Sequence, residues 1–439
     1  MYDLLIQGAR IMTDETTALP AVGDIALQDG RIAALAPQIS AGLACQVLQA
    51  DGLTAVPGAV NAHAHLAMSL LRGVAEDLPI ERWFNQVIWP LETNLTEEDV
   101  YWGTLLGCLE SLRSGVTTVA DHYFFADAVA AAVEASGIRA LLAPTLFSGP
   151  QEAADLVRAR QFVAQRDGSA GGRIRAWFGP HAPYTCTPEY LRTIAAAARE
   201  LQVGIHIHLS ETAEQVSACR AQYGLSPVEL AARCGLFDVP SIAAHAAHTD
   251  AADRRLLAQH GTAVAVTPQT EMKLAIGVAP VTEYQAAGIT VALGSDGAAS
   301  NNHYDLAAAA RLIALLEKHR TASALTLPLH EALQLPYRAG AAAVGLAGRI
   351  GVLAVGAAAD MALYDFNGPQ HAPLSDVRAA LLYSAQPADI RHVLVDGRIV
   401  LQDGLPTQFD QAQVLRETAA RRARLQRPSS GRIAAYPGN

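Results

Sequence analysis

Eight short apolar runs alternate with Ala/Leu-rich stretches of helical character through the middle of this chain, at 54–60, 116–121, 138–147, 174–179, 203–208, 241–246, 262–267 and 290–295. A run that is apolar throughout reads as a strand covered on both faces, as parallel sheets flanked by helices require. Eight such β/α alternations in succession specify a parallel (β/α)8 barrel, a TIM barrel of the α/β class. A doubly wound sheet also alternates, but it usually carries a glycine-rich phosphate loop after its first strand, and none follows here. One helix is predicted to start at Thr96, with Asp99 three residues on as its capping-box partner, and to stop at Gly115.

The two ends of the chain read differently from the middle. Asp3–Gly8 and Asp24–Gln28 are strand-like, with a turn signal at Asp29-Gly30, and Asp360–Asp365 and His392–Val400 repeat the same strand and Asp-Gly punctuation. Two strand-rich ends around a different middle predict a small β-sandwich built from both termini. The expected division is 1–56 for the N-terminal part of the sandwich and 57–345 for the barrel. Residues 346–439 then supply the C-terminal part of the sandwich, a terminal helix and a tail.

Composition narrows the function classes. At 439 residues, 51% hydrophobic and 17% charged, the chain has material for a large core and little tendency to disorder. A formal charge of −10 with no concentrated Lys/Arg face excludes nucleic acid as the expected partner. Cys45, Cys108, Cys186, Cys219 and Cys234 are scattered without a CxxC pair, which argues against a disulfide framework and a thiolate zinc site. No signal-peptide pattern is seen, and the apolar stretches are broken well short of a bilayer span, so no membrane association is expected. A cytoplasmic setting is expected. A homodimer is compatible with so apolar a chain, although no interface residues can be named.

The strand ends turn pattern into chemistry. Most runs finish on a residue that binds metal or handles protons: His63 and His65, Asp121 and His122, His181, His208, His245 and Asp296. In a (β/α)8 barrel all strand C-termini open on one mouth, so residues more than 200 positions apart share one cavity. His63 and His65 are i and i+2 on an extended segment and point the same way. His208 closes a second such pair. His206 shares its face but lies one pleat deeper, where a hydrogen-bonded core histidine is the expected role. Glu211 sits just past the strand, able to move protons without being a ligand. Each signal alone has an ordinary structural explanation; together they point to a metal site. A two-metal barrel would need a bridging group, commonly a lysine late in the fourth strand, and Ile174–Gly179 has none. One divalent ion is therefore expected. Histidine and oxygen donors suit Zn2+ best, with Fe2+ and Mn2+ as alternatives.

These residues resemble the amidohydrolase superfamily, and within it the branch of methylthioadenosine/S-adenosylhomocysteine deaminases and triazine hydrolases. The resemblance rests on ordered strings over nearly the whole chain: Pro57–His65, Leu70–Leu78, Gly179–Tyr184, His208–Thr212 and Gly294–Asn302. It implies His63, His65, His208 and Asp296 as metal ligands, with Glu211 and His245 as the proton-transfer and water-orienting pair and Asp296 also catalytic. It implies Trp83, Glu92 and His181 at positions that hold the sugar of a nucleoside, and Ser300 at one that touches the base. The implied reaction is hydrolytic deamination of a purine-like or nucleoside-like heterocycle, methylthioadenosine being the leading candidate. A metal ion makes hydroxide available near neutral pH for attack on the ring carbon that bears the amine.

Two positions depart from the deaminase pattern. Pro144 stands where an arginine suited to the homocysteine carboxylate is usual. Thr267-Pro268-Gln269-Thr270-Glu271 replaces an Asn-Pro-x-Ser-Asn string, which puts Glu271 near the mouth as a further candidate substrate contact, unless it pairs with Lys273. Both favour an uncharged or cationic amine-bearing ring over S-adenosylhomocysteine. The alternative reading is a hydrolase of another leaving group, chloride or an alkylamine on an s-triazine. A non-catalytic binding protein on the same barrel is the remote one, since the ligand set is intact.

Overall fold

The computed structural model describes residues 1–14, 16–425 and 433–436. Its barrel strands are β1 (Ala59–His65), β2 (Val116–Tyr123), β3 (Arg139–Leu146), β4 (Ile174–Ala176 and Gly179–Pro180), β5 (Ile205–Leu209), β6 (Ser241–His245), β7 (Ala263–Val266) and β8 (Val291–Leu293 and Asp296–Gly297). Neighbours pair in parallel around the ring, from β1 through β4 and from β5 through β8. A parallel bridge between Phe178 and Ile205 joins β4 to β5, and Asp296 and Gly297 pair with Ala64 and His65 to close β8 on β1. Nearly every strand residue is buried, which explains why the strands read as unbroken apolar runs.

The first run behaves differently from the expectation. Residues 54–60 are two strands that part at Pro57-Gly58: Leu53–Pro57 belongs to the terminal sheet, and the barrel begins at Ala59. Gly58 allows this because a Cβ there would lie 2.1 Å from Thr117 Oγ1, so only a residue without a side chain fits against β2. The expected helix is present at Glu97–Arg113. Thr96 caps it, and both halves of the capping box with Asp99 are formed.

The terminal sheet has nine strands, five from the N-terminal end and four from the C-terminal end, and fits the expected sandwich module. Its hairpins turn at Asp29-Gly30, Asp396-Gly397 and Asp403-Gly404, each pair with both φ angles positive, as two-residue turns of this hand demand. The run His392–Val400 is thus a hairpin, Ile390–Val395 and Arg398–Gln402. One face buries Ile6, Ile25, Leu27, Leu363 and Leu394 in a core of its own, while Val393 and Val395 join the barrel core. The terminal helix, Gln411–Arg424, lies along Glu97–Arg113, with Arg421 and Arg424 paired to Asp99. Of the expected tail, residues 426–432 and 437–439 lie outside the described residues. Among the described residues no helix is long and apolar enough to cross a membrane.

Barrel and terminal sheet are joined by a buried ion pair. Arg139 at the start of β3 donates to both Asp360 carboxylate oxygens, at 2.8 and 3.1 Å, and Asp396 N–H donates to the same carboxylate at 2.7 Å. Removing one partner of such a pair leaves the other charge buried and unpaired. Arg139→Met is expected to destabilise the protein by about 3–5 kcal/mol in denaturant unfolding, and the double change Arg139→Met/Asp360→Leu should recover most of that loss. Equal losses in single and double variants would show that packing, and not the unpaired charge, carries the effect.

Candidate metal centre and active site

β1 ends on two imidazoles that face the barrel mouth, and each histidine of the cluster is held by its Nδ1. His65 Nδ1 lies 2.6 Å from the His122 carbonyl and His208 Nδ1 lies 2.9 Å from the His181 carbonyl, so each donates from Nδ1 and turns Nε2 to the centre. His63 Nδ1 lies 2.8 Å from His206 Nε2. His206 is therefore the buried orienting histidine that the pleat geometry predicts. The free Nε2 atoms converge. His65 Nε2 and His208 Nε2 are 3.3 Å apart, and Asp296 Oδ1 lies 3.1 Å from His65 Nε2 and 3.4 Å from His63 Nε2.

The electrostatics of this group call for a cation. Burial pushes His63 down to about 3 and His208 well below its usual range, so both are neutral donors. Burial also opposes a charge on His65, but the Asp296 carboxylate outweighs it and raises His65 to about 9. Asp296 itself, despite its burial, is held well below the usual carboxylate range by His63 and His65. Two imidazole Nε2 atoms 3.3 Å apart beside a buried carboxylate, and a buried His63 Nε2 without a hydrogen-bond partner, suit a divalent ion in place of the proton that Asp296 otherwise holds on His65. The ligand atoms of His63, His65 and His208 lie within 4.8 Å of one another, as do those of His63, His245 and Asp296. The donor set thus fits a metal of the kind that imidazole and carboxylate bind.

Beside this cluster, Glu211 and His245 form a second unit. Glu211 Oε1 is 3.7 Å from His245 Nε2, while Glu211 Oε2 accepts from the Gln215 side chain at 3.0 Å. Gln215 Oε1 accepts from the Glu211 N–H at 3.2 Å, so one amide clamps both ends of the glutamate. His245 is fixed through Nδ1 to the Thr267 hydroxyl at 2.9 Å. Ser210, His245 and Asp296 all have left-handed backbone, with φ of 48°, 65° and 59°. Such conformations cost on the order of 1–3 kcal/mol per residue and persist where the surroundings over-determine them.

The cavity above the cluster is lined by His65, His208, Glu211, His245 and Asp296 at its floor, and by Trp83, Glu92 and His181 on its walls. Trp83, Phe84 and Glu92 come from a helical segment after β1 that widens into a π turn over Trp83–Ile88. Phe84, Trp89, Tyr123, Phe124 and Phe147 complete the walls. Sequence reading missed these aromatics, which carry no periodic signal of their own. It also missed Gln215 and Thr267.

Two expected substrate contacts are placed elsewhere. Ser300 does not line the cavity; its hydroxyl donates to Asp296 Oδ2 at 2.5 Å and thereby orients that carboxylate. Glu271 neither lines the cavity nor pairs with Lys273. It is fully buried and accepts from the N–H groups of Thr267 and Ala279, both at 3.0 Å, because it lies in the first turn of the short helix Pro268–Lys273. Lys273 pairs instead with Glu76 at 2.6 Å. Lys318, the chain's other lysine, donates to carbonyls of Ala324, Thr326 and Leu327, so neither lysine bridges the cluster.

Comparison with known proteins agrees with this geometry. The amidohydrolase family matches over residues 54–400. The 5-methylthioadenosine/S-adenosylhomocysteine deaminase of Desulforudis audaxviator (strain MP104C) is 45% identical over 406 residues, covering 92% of this chain and 94% of that protein. An adenosine deaminase from Xanthomonas campestris, solved with bound zinc, superposes with a TM-score of 0.92 at 32% identity, covering 97% and 99% of the two chains. Atrazine chlorohydrolase from Arthrobacter aurescens TC1, complexed with zinc, superposes with a TM-score of 0.87 at 25% identity, covering 95% and 99%.

Glu92 gives the cavity a pH signature. Its carboxylate accepts from Tyr123 OH at 2.7 Å, yet burial pushes its pKa up to about 7 from 4.5. The folded protein therefore keeps a proton on Glu92 that the unfolded chain releases above about 4.5. Its contribution to stability should fall as pH rises from about 4.5 to about 7 and be flat above, a loss of roughly 3 kcal/mol. Glu92→Gln should remove that component, measured as a smaller drop in Tm between pH 5 and pH 8 at equal metal loading. An unchanged drop would mean that another group titrates.

Proposed function

The chain belongs to the amidohydrolase family, and we propose that it is a metal-dependent hydrolytic deaminase of an adenosine derivative, with 5′-methylthioadenosine the leading substrate. The observation that carries this reading is the convergence of three Nε2 atoms and the Asp296 carboxylate directly beside the Glu211–His245 pair. His63, His65, His208 and Asp296 would hold one ion, Zn2+ being the best match to imidazole and carboxylate donors. When bound there, it lowers the pKa of a water so that hydroxide is available near neutral pH.

The reaction forms one C–O bond, breaks the C–N bond to the exocyclic amine, and delivers one water proton to the ring nitrogen and the other to departing ammonia. Glu211 is suited to carry both protons in turn, because Gln215 fixes Oε2 and leaves Oε1 facing His245 and the cavity. His245 and Asp296 line the floor of the cavity beside Glu211 and would stabilise charge that develops on the attacking oxygen. The walls supply binding. Trp83 presents a buried indole N–H without a partner, Glu92 keeps one carboxylate oxygen for Tyr123 and the other for a ligand, and His181 lines the same cavity. These groups suit the hydroxyls of a ribose.

Pro144, near the end of β3, stands where the resemblance implies an arginine for the homocysteine carboxylate, which favours an uncharged 5′ substituent over the amino-acid end of S-adenosylhomocysteine. Glu271 gives no such argument, being sealed by backbone N–H groups. Hydrolysis of another leaving group from a triazine is the second reading, supported by the likeness to the chlorohydrolase structure.

Ammonia release should be measured with 5′-methylthioadenosine, S-adenosylhomocysteine, adenosine, guanine, a pterin and a triazine. The nucleosides should release ammonia, 5′-methylthioadenosine fastest. Chloride from a chlorotriazine with no ammonia from any nucleoside would overturn the deaminase reading. Chelation should abolish turnover, and metal analysis should find one ion per chain, two ions sinking the single-metal arrangement. Glu211→Gln should lower kcat by about 10²–10⁴-fold with metal content unchanged, as loss of a proton-transfer group does.

A further inference from the structure

Tyr436 lies far outside the barrel in sequence, yet it is almost completely buried at the barrel mouth. Its backbone is held by one side chain: its N–H donates to Asn85 Oδ1 at 3.1 Å and its carbonyl accepts from Asn85 Nδ2 at 3.4 Å. The ring stacks on Phe84, with centroids 5.5 Å apart and planes 13° apart, and meets Tyr184 edge-on at 5.4 Å. Phe84 is a wall of the catalytic cavity. The phenol oxygen reaches the segment after β5, 2.7 Å from Thr212 Oγ1, next to the cavity residue Glu211.

Thr212 is a consequential contact because it caps the helix Ala213–Tyr223. Its hydroxyl accepts from the Gln215 N–H at 3.2 Å, and Gln215 is the residue that clamps Glu211 from both sides. A continuous path of hydrogen bonds thus runs from Tyr436 OH through Thr212 and Gln215 to the Glu211 carboxylate. The same side chain ties the segment after β1, which carries Phe84, to the segment after β5, which carries Glu211, and no strand pairing connects the two. Ile433 and Ala434 pack on the barrel core beside it and anchor the approach.

We propose that Tyr436 is a positioning residue for the hydrolytic reaction, its hydroxyl fixing Glu211 through Thr212 and Gln215 and its ring fixing Phe84 in the substrate cavity. The two functions are separable, since one belongs to the oxygen and the other to the ring. The inference rests on the deaminase reading for its substrate and on the geometry alone for the split.

The test compares metal-loaded full-length wild type, Tyr436→Phe and Tyr436→Ala with 5′-methylthioadenosine as the probe. Tyr436→Phe keeps the stack and loses one hydrogen bond, so kcat should fall about fivefold with KM unchanged. Tyr436→Ala should show the same loss in kcat and, with Phe84 released, a KM raised about tenfold. Binding to the Glu211→Gln background, read by calorimetry, should be weakened by Tyr436→Ala and unaffected by Tyr436→Phe. Wild-type kcat and KM in both variants, or a KM that changes equally in both, would overturn the proposal. A lowered Tm with unchanged kinetics would make Tyr436 merely structural and overturn it equally. Wild type that releases no ammonia would instead refute the deaminase reading, while an unchanged Phe84-dependent affinity in the Glu211→Gln background would still count against Tyr436.

Discussion

The buried carboxylate of Asp296 faces two imidazole nitrogens across little more than 3 Å, at the floor of the cavity. A carboxylate in such a place is costly unless positive charge meets it. The surrounding groups are arranged around that requirement. Ser300 donates to the oxygen of Asp296 that faces away from His63 and His65. The neighbouring Ser295 is gripped by Asn61, whose side chain accepts from the Ser295 N–H at 3.0 Å and donates to its hydroxyl at 2.7 Å. That clamp joins β8 to β1 just where the barrel closes. The demand for a cation and the closure of the fold are therefore met by adjacent residues on the same two strands.

The histidines answer the same demand from the other side. Neutral imidazoles make good ligands only when the proton is confined to the far nitrogen, and here carbonyls of His122 and His181 and the ring of His206 confine it. These tethers come from β2, β4 and β5, so the order of the whole barrel determines which nitrogen faces the centre. Ser210 just after β5, His245 at the end of β6 and Asp296 in β8 have left-handed backbone. Strain of this kind is stable only in a well-packed setting, and the large apolar core supplies one.

Much of this was legible in the sequence because a parallel barrel links two simple signals, the apolar run and the residue at its end. His63, His65, His208, His245 and Asp296 stand at strand ends, and position in the alternation suffices to gather them. The sequence was less informative where a residue acts sideways. The run 54–60 looked like one strand because Pro57 and Gly58 are apolar or neutral, while the break they make depends on the approach of Thr117. Glu271 reads as a charge at the mouth, but as a first-turn residue it finds backbone N–H groups closer than any ligand. Ser300 follows Asp296 by four residues and bends back to it. Tyr436 had no signal at all, since its contacts at Asn85 and Thr212 depend on where the chain end is carried.

Selectivity must then lie in the walls, because a centre that supplies hydroxide serves amine and chloride leaving groups alike. A flat triazine would find the aromatic surfaces of Phe84, Trp89 and Phe147 agreeable, and nothing at the floor excludes it. Glu92 and the Trp83 N–H are another matter. Both are polar groups withdrawn from water, and a ligand without hydroxyls would leave them unsatisfied. A site built to hydrogen-bond a hydroxyl rejects the analogue that lacks it far more strongly than an apolar pocket rejects a change of shape. Burial keeps Glu92 protonated up to about pH 7, where it can donate as well as accept, which matches a sugar diol and has no counterpart on a chlorotriazine. The polar part of the wall therefore argues for a nucleoside even though the catalytic floor is indifferent to the leaving group.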